Sequence, residues 1–360
     1  MKRCALLSAA LAGCFLPSYE KVEGGGGGGA GGAGGEDVCA LANPPAAPST
    51  PPPGGEVEFF VAMRVIDVGD AHLPSRPGYD LDGVCACCSG CTGSLCVAPA
   101  AATLEACDAV SGQPNGGRDN NFAKYAAGLG GSALADLRSS GMSQLADRGL
   151  WGVVLRVSQY NGDPDDGEVT VALHNAVGSP AEPLWDGNDA WQLRSDSFGA
   201  LGTLDDALFV QDGAYVSDGV LVVTFPATVS LALPLNFVLP LEDVTLQARI
   251  AKDAQDDFEL VEGVLGGRVR ITDALAALGG TRFQGFPVVC TDTLDYASLY
   301  KDPLCAHRDE STVSLPAPCD AVSFGMSFSA EQIGDAPSIV PVDTTRLCFP
   351  EVDPAGHMCD

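Results

Sequence analysis

The sequence predicts a mainly β, disulfide-rich protein: an antiparallel β-sandwich, jelly-roll-like, with one short helical excursion. Three observations carry that expectation. Short apolar runs rich in Val, Phe, Ile and Leu recur between turn residues, as strands do. Helical spacing is confined largely to residues 121–147. The 14 cysteines of the 360-residue chain fall mostly into two groups, the pattern of a covalently stapled body.

The elements follow in chain order. Residues 57–66, Val-Glu-Phe-Phe-Val-Ala-Met-Arg-Val-Ile, read as a buried strand. Residues 121–147 place Ala133, Leu134 and Leu137 at helical spacing, and Gly130, Gly131 and Gly141 divide them into pieces. Residues 151–160 and 168–173 flank Asn161-Gly162 and predict a hairpin with an acidic loop. Residues 220–225, 227–233 and 244–250 continue the strand series. In 259–271, Gly263, Gly266 and Gly267 predict a bulge or turn between two short strands. Thr272-Asp273 then predicts the cap of a short helix running to Leu278 and stopped by Gly279. Val322, Phe324, Met326 and Phe328 alternate with Ser323, Gly325, Ser327 and Ser329, a strand with one buried face.

Composition removes several function classes. Asp and Glu number 47 against 19 Lys and Arg, a net charge of −28, so no basic face exists for nucleic acid. A hydrophobic fraction of 46% and a mean hydropathy of +0.14 oppose a wholly disordered acidic chain. No apolar run reaches the roughly 18 residues that a membrane helix needs.

The amino terminus predicts export. Lys2 and Arg3 precede an apolar stretch, Cys4 to Leu11, and small residues follow, as in a secretory signal. Leu11-Ala12-Gly13-Cys14 resembles the lipobox of bacterial lipoproteins. The resemblance implies that residues 1–13 are removed and that Cys14 carries the acyl chains. It also implies an outer-membrane lipoprotein of the cell envelope, periplasmic or surface-exposed, with the membrane as a partner through the anchor. Removal of 1–13 takes Lys2 and Arg3 and no acid, moving the net charge to −30. Residues 14–55 then form a tether: ten glycines and two alanines fill 24–35, and 44–55 are Pro-rich. The globular body is 56–360, one large domain or two subdomains. The blocks Gly78 to Cys87, Gly116 to Asn120 and Cys319 to Ser323, with five Lys against 14 Arg, resemble uncharacterised lipoproteins of GC-rich myxobacteria, a resemblance that implies no reaction.

An exported chain points its cysteines toward disulfides rather than zinc. Cys85, Cys87, Cys88, Cys91, Cys96 and Cys107 form one group, and Cys290, Cys305, Cys319, Cys348 and Cys359 another. With Cys39 added to the second, two separate sets of three bridges become one arrangement that the counts allow. Acidic turns supply the candidate metal ligands. Asp80, Asp82, Asp119 and Asn120 flank the first cysteine group and form a candidate structural calcium site. Asn161, Asp163 and Asp165 begin like an EF-type loop, but Asp166 stands at its sixth position and Ala172 at its twelfth, so a non-EF loop is the alternative to plain turn chemistry. Trp185 and Trp191 bracket Asp186, Asn188 and Asp189, a pattern that suits sugar stacking and equally suits two core anchors.

No Gly-x-Ser-x-Gly, His-Glu-x-x-His or phosphate-loop motif occurs, and the four histidines are unpaired at ligand spacing. The expectation is therefore a surface-tethered, non-enzymatic protein, binding a glycan or matrix polymer or serving a structural role, with structural calcium. The alternative is a lipid-anchored polysaccharide hydrolase using two of the many carboxylates.

Overall fold

The computed structural model describes residues 43–50, 52–70, 76–82, 96, 118–313, 317–334 and 337–359, all within the compact unit Asp37–Asp360. The signal, Cys14, the tether up to residue 42, and Cys85, Cys87, Cys88, Cys91 and Cys107 lie outside the described residues. The elements are, in order, β1 (Val57–Asp67), α1 (Phe122–Gly128), α2 (Ser139–Asp147), β2 (Gly152–Tyr160), β3 (Asp166–Gly178), β4 (Gln192–Arg194), β5 (Val210–Ser217), β6 (Val220–Thr224), β7 (Val229–Leu233), β8 (Phe237–Lys252), β9 (Phe258–Arg270), α3 (Ile271–Leu278), β10 (Arg282–Phe283), β11 (Phe286–Pro287), α4 (Asp302–Ala306), β12 (Ala321–Gln332) and β13 (Ser338–Val340).

The expected sandwich is instead a closed barrel. Eight antiparallel strands follow one another in the order β3-β2-β1-β12-β9-β8-β6-β5, and β5 pairs back onto β3. The closing register runs Asp166↔Val216, Val169↔Ala214, Val171↔Gln211 and Ala172↔Val210. Alternation and turn spacing are the same in a sandwich and a barrel. What differs is which strands meet at the edges, and that depends on long strands that twist and bend. β3, β8 and β9 have 13, 16 and 13 residues, and positive φ at Asp243 and Glu262 marks kinks within the last two.

An eight-stranded barrel has an interior that side chains can just fill. Here Val61, Leu155 and Leu173 face one another across β1, β2 and β3, all fully buried. The predicted alternation of β12 is realised: Val322, Phe324, Met326 and Phe328 enter the barrel core. Phe122 of α1 extends that core, its ring 5.0 Å from Phe324. The 121–147 excursion is α1, a single 3-10 turn at Ala135–Leu137, and α2. Ser139 and Ser143 of α2 receive the Val68 and Ile66 amides at 3.0 and 2.8 Å, fixing the end of β1.

Two local expectations change. Residues 258–270 are one strand, not two with a turn between. Gly263 and Gly266 provide room for rings: a Cβ there would come within 2.6 Å of Phe328 and 2.7 Å of Tyr79. The helix α3 starts at Ile271 directly from β9, with Arg270 rather than Thr272 at its cap position, and ends at Gly279 as expected.

Outward, the barrel carries a second apolar layer. Phe60, Ala62 and Val154 point away from the interior and are covered by Trp191, Leu193, Phe198 and Ile333. This explains why residues 59–63 are apolar without alternation: both faces of β1 are buried. The last Pro-rich residues before β1 lie along the barrel, with Pro45 O accepting from Tyr215 Oη at 2.6 Å and Pro52 O from Gly167 N at 3.2 Å.

Three disulfides join described residues: Cys96–Cys319, Cys290–Cys348 and Cys305–Cys359. The first links the two cysteine groups, so the arrangement as two separate sets does not hold.

Gly263→Ala should destabilise the barrel by roughly 1–3 kcal/mol, the cost of overpacking a filled core. Gly128→Ala, in open space at the end of α1, should be neutral or stabilising by less than about 1 kcal/mol. Urea unfolding of the oxidised chain compares the two, and equal losses would refute the packing role given to Gly263.

Candidate functional site

The site is built on the outer face of β9 and β12. Gly266 and Gly325 leave that face low, and two chain segments settle on it. Tyr79 lies over Gly266 and donates from its hydroxyl to Val264 O at 3.1 Å. Pro77 O sits where a Cβ on Gly325 would be, 2.1 Å from that position. The second segment, 118–121, is joined to the first by a bridge between Tyr79 and Asp119, whose amide donates to Tyr79 O at 2.8 Å.

That bridge gathers carboxylates. Asp80, Asp82 and Asp119 place one oxygen each within 4.8 Å of one another. Among the described residues, these three are the acidic, Cys or His side chains grouped closely enough to share an ion. Oxygens bound to one Ca²⁺ at about 2.3–2.6 Å lie within about 5 Å of each other, so the spacing fits a single cation. Asp119 Oδ2 also accepts from Leu81 N at 2.7 Å, which fixes its direction.

Beneath the three lie two acids that sequence reasoning did not select. Asp309 is buried and accepts from Ser323 N at 2.8 Å and from Ser323 Oγ. Glu310 is 2% exposed, and Arg268 Nη1 stands 3.8 Å from its carboxylate. Arg268 is also engaged by Asp243 at 2.7 Å and by Ser311 O at 2.8 Å. Burial, then the charges of Asp309, Asp119 and Asp82, hold the Glu310 carboxyl far above the usual carboxylate range, against the pull of Arg268. Nothing local in Arg308-Asp309-Glu310 signals this role. The β9–β12 pairing, the Glu310–Ala321 bridge and the Cys96–Cys319 disulfide, with Cys96 Sγ 3.2 Å from Asp309 O, bring the segments together.

Asn120 supports the site from within. Its Nδ2 approaches Val68 O, Pro77 O and Gly325 O at 3.0, 2.8 and 2.9 Å, and its Oδ1 accepts from Ala123 N at 3.2 Å. One buried amide therefore ties β1, the 76–79 segment, β12 and the start of α1 together.

The hairpin loop is organised as a turn. Asn161 Oδ1 accepts from Asp163 N at 2.8 Å, Asp165 Oδ1 from Asp218 N at 3.0 Å, and Asp166 from the amides of Asn161 and Glu168 at 2.7 and 2.9 Å. At the tryptophan loop, Asp189 accepts from the amides of Leu184 and Trp185 at 2.9 and 2.6 Å, and Asp186 from Asn188 N at 3.1 Å. Trp191 is buried in the outer layer over Gly152. Trp185 is half-buried, with its centroid 5.9 Å from Trp191 and the Arg64 guanidinium 5.0 Å from its ring centre. Asp186 and Asn188 are exposed beside it.

Asn120→Ala should lower stability by about 2–4 kcal/mol, because three carbonyls lose a buried donor. Asn120→Asp, which cannot donate, should not restore it. Full stability of the Asp variant in urea unfolding near neutral pH would contradict the role given to the amide. No family model, curated protein or solved structure matches the chain, so the site is read from its geometry.

Proposed function

We propose that this chain is a lipid-anchored protein of the cell envelope that works outside the cytoplasm as a binding or structural module, with a structural calcium ion at Asp80, Asp82 and Asp119. The observation that carries the calcium reading is the convergence of those three carboxylates, which place one oxygen each within 4.8 Å of one another. Like charges at this spacing repel, and a divalent cation is the simplest group that offsets them. Disulfides persist in oxidising compartments, which supports export. Cys14, by its lipobox, supplies the anchor, and the Gly-rich stretch the reach.

The filled barrel interior argues that a ligand docks on the outside. Our favoured ligand is a glycan or matrix polymer at the turn carrying Trp185, Asp186, Asn188 and Asp189, with Trp191 anchoring that turn from below. Trp185 is half-buried beneath Arg64, and the exposed Asp186 and Asn188 offer hydrogen-bonding groups next to it.

Calcium at a hundredfold excess over its Kd should stabilise the oxidised chain by about 2.7 kcal/mol, and chelator should remove the gain. Asp82→Asn should weaken the effect at least tenfold, whereas Asp165→Asn should leave it intact. No calcium-dependent rise in Tm, or the same rise in Asp82→Asn, would end the calcium reading. On a panel of bacterial and plant polysaccharides, Trp185→Ala should abolish retention without changing the circular dichroism of the barrel. Equal retention of the variant would remove the tryptophan turn as the docking surface.

A further inference from the structure

The outer layer over β1, β2 and β3 encloses an ionisable side chain that the candidate site does not use. His174 of β3 is fully buried. It sits opposite Val154, which sits opposite Ala62, so it points outward from the barrel into the layer of Trp191, Leu193 and Phe198. The Phe198 ring stacks on the imidazole at 4.9 Å and 18°. Neither ring nitrogen has a hydrogen-bond partner, and Trp191 Nε1 in the same layer has none either.

Among the described residues, the charged groups nearest this layer have partners of their own. Arg156 of β2 lies over the Phe60 ring and pairs with Glu58 of β1 at 3.1 Å and with Asp205 of the covering loop at 3.0 Å. Arg194 of β4 pairs with Asp196 at 2.6 Å. Asp206 accepts from Leu201 N at 2.6 Å within the loop. Arg156 is the group whose charge acts on the imidazole, and it carries the same sign as an imidazolium.

Side-chain contacts tie the layer to the barrel at Ser197, whose Oγ accepts from Asn175 N at 2.9 Å, and at Leu204 O and Asp205, which Arg156 reaches at 3.3 and 3.0 Å, while the strand pairing is confined to one place. β4 meets β3 only near the end of that strand, at Ala176↔Leu193 and Gly178↔Gln192, and β13 runs parallel to β4 beyond it. Its apolar cluster is distinct from the barrel core. Such a layer can open while the closed sheet keeps its pairing.

We propose that residues 185–208, together with β13, form an acid-released flap: protonation of His174 undocks the layer from β1–β3 and uncovers Phe60, Trp191 and Phe198, while the barrel stays folded. A proton on the enclosed ring would leave two unpaired donors and a net charge among apolar groups, next to Arg156. In the open state water solvates the same charge.

The direction follows from linkage. Burial, then Arg156, holds the closed-state pKa of His174 at about 4, below the ordinary 6.5. The open state therefore binds the proton first. The closed layer keeps its full stability above about pH 6.5, loses it as pH falls toward 4, and loses no more from this group below that. The open-to-closed ratio should rise about tenfold per pH unit within that window.

Hydrogen exchange of the full oxidised chain, corrected for intrinsic rates at pH 7, 5.5 and 4.5, tests this. Peptides from 190–208 should lose protection by at least tenfold between pH 7 and 4.5, while peptides from 152–173 keep theirs. His174→Leu, or His174→Gln if the first variant does not fold, should flatten the pH dependence of the layer. The neutral variants also separate the effect of His174 from that of the carboxylates that pair with Arg156 and Arg194. Unchanged protection at pH 4.5, equal loss in the barrel, or the same loss in the folded neutral variant would overturn the proposal.

Discussion

The hydrogen bonds between β3 and β5 are the constraint from which the rest of the architecture follows. Without them the sheet would be open, with two long edges offering unpaired amides and carbonyls to other chains. With them the eight strands share one interior, and that interior fills with Val, Leu, Phe and Met. A filled interior moves every polar convergence to the outside. The acidic site and the histidine layer are both built on outward-facing residues, the first on β9 and β12 and the second on β1, β2 and β3.

These two outer regions solve a similar packing problem by different means. Over β9 and β12 the covering segments are held by polar contacts: the Tyr79–Asp119 bridge, the Asn120 amide and the Cys96–Cys319 disulfide. Over β1, β2 and β3 the cover packs through Trp191, Leu193 and Phe198, and polar contacts at Ser197 and Arg156 pin its margins. Excess negative charge is the cost of the first solution. A chain with net charge −28 has few cations to spare, and Arg268 serves Asp243, Ser311 and Glu310 at once.

Much of the local structure was legible in the residues. The 151–173 hairpin, the period-two pattern of β12, the helix ending at Gly279 and the helical pieces of 121–147 all came from short-range chemistry. Closure was not legible, because the same alternation serves an open or a closed sheet, and the kinks at Asp243 and Glu262 carry no sequence signature. Gly263 and Gly266 pointed toward a turn because glycine breaks most strands. Here they are flat places for Phe328 and Tyr79, rings contributed by residues far along the chain. At the candidate site, Asp80, Asp82 and Asp119 were picked out as acidic turns near cysteines. Asp309 and Glu310 were missed, because the acids they approach in space are about 190 to 230 residues away in sequence.

The pairing of β1 with β12 has a consequence for how such a chain reaches its final state. β1 is the first strand of the barrel, and one of its two neighbours, matched as Val61↔Gln332 and Ile66↔Phe328, is the last of the eight to leave the ribosome or a translocation pore. Until β12 emerges, the Phe59-Phe60-Val61-Ala62-Met63 segment has an unsatisfied edge and no finished interior to enter. A chain that meets its environment from the N-terminus must therefore carry its stickiest strand half-paired through most of its own emergence. The pressure for a holding partner falls on that strand, and it lasts until the final quarter of the sequence is free.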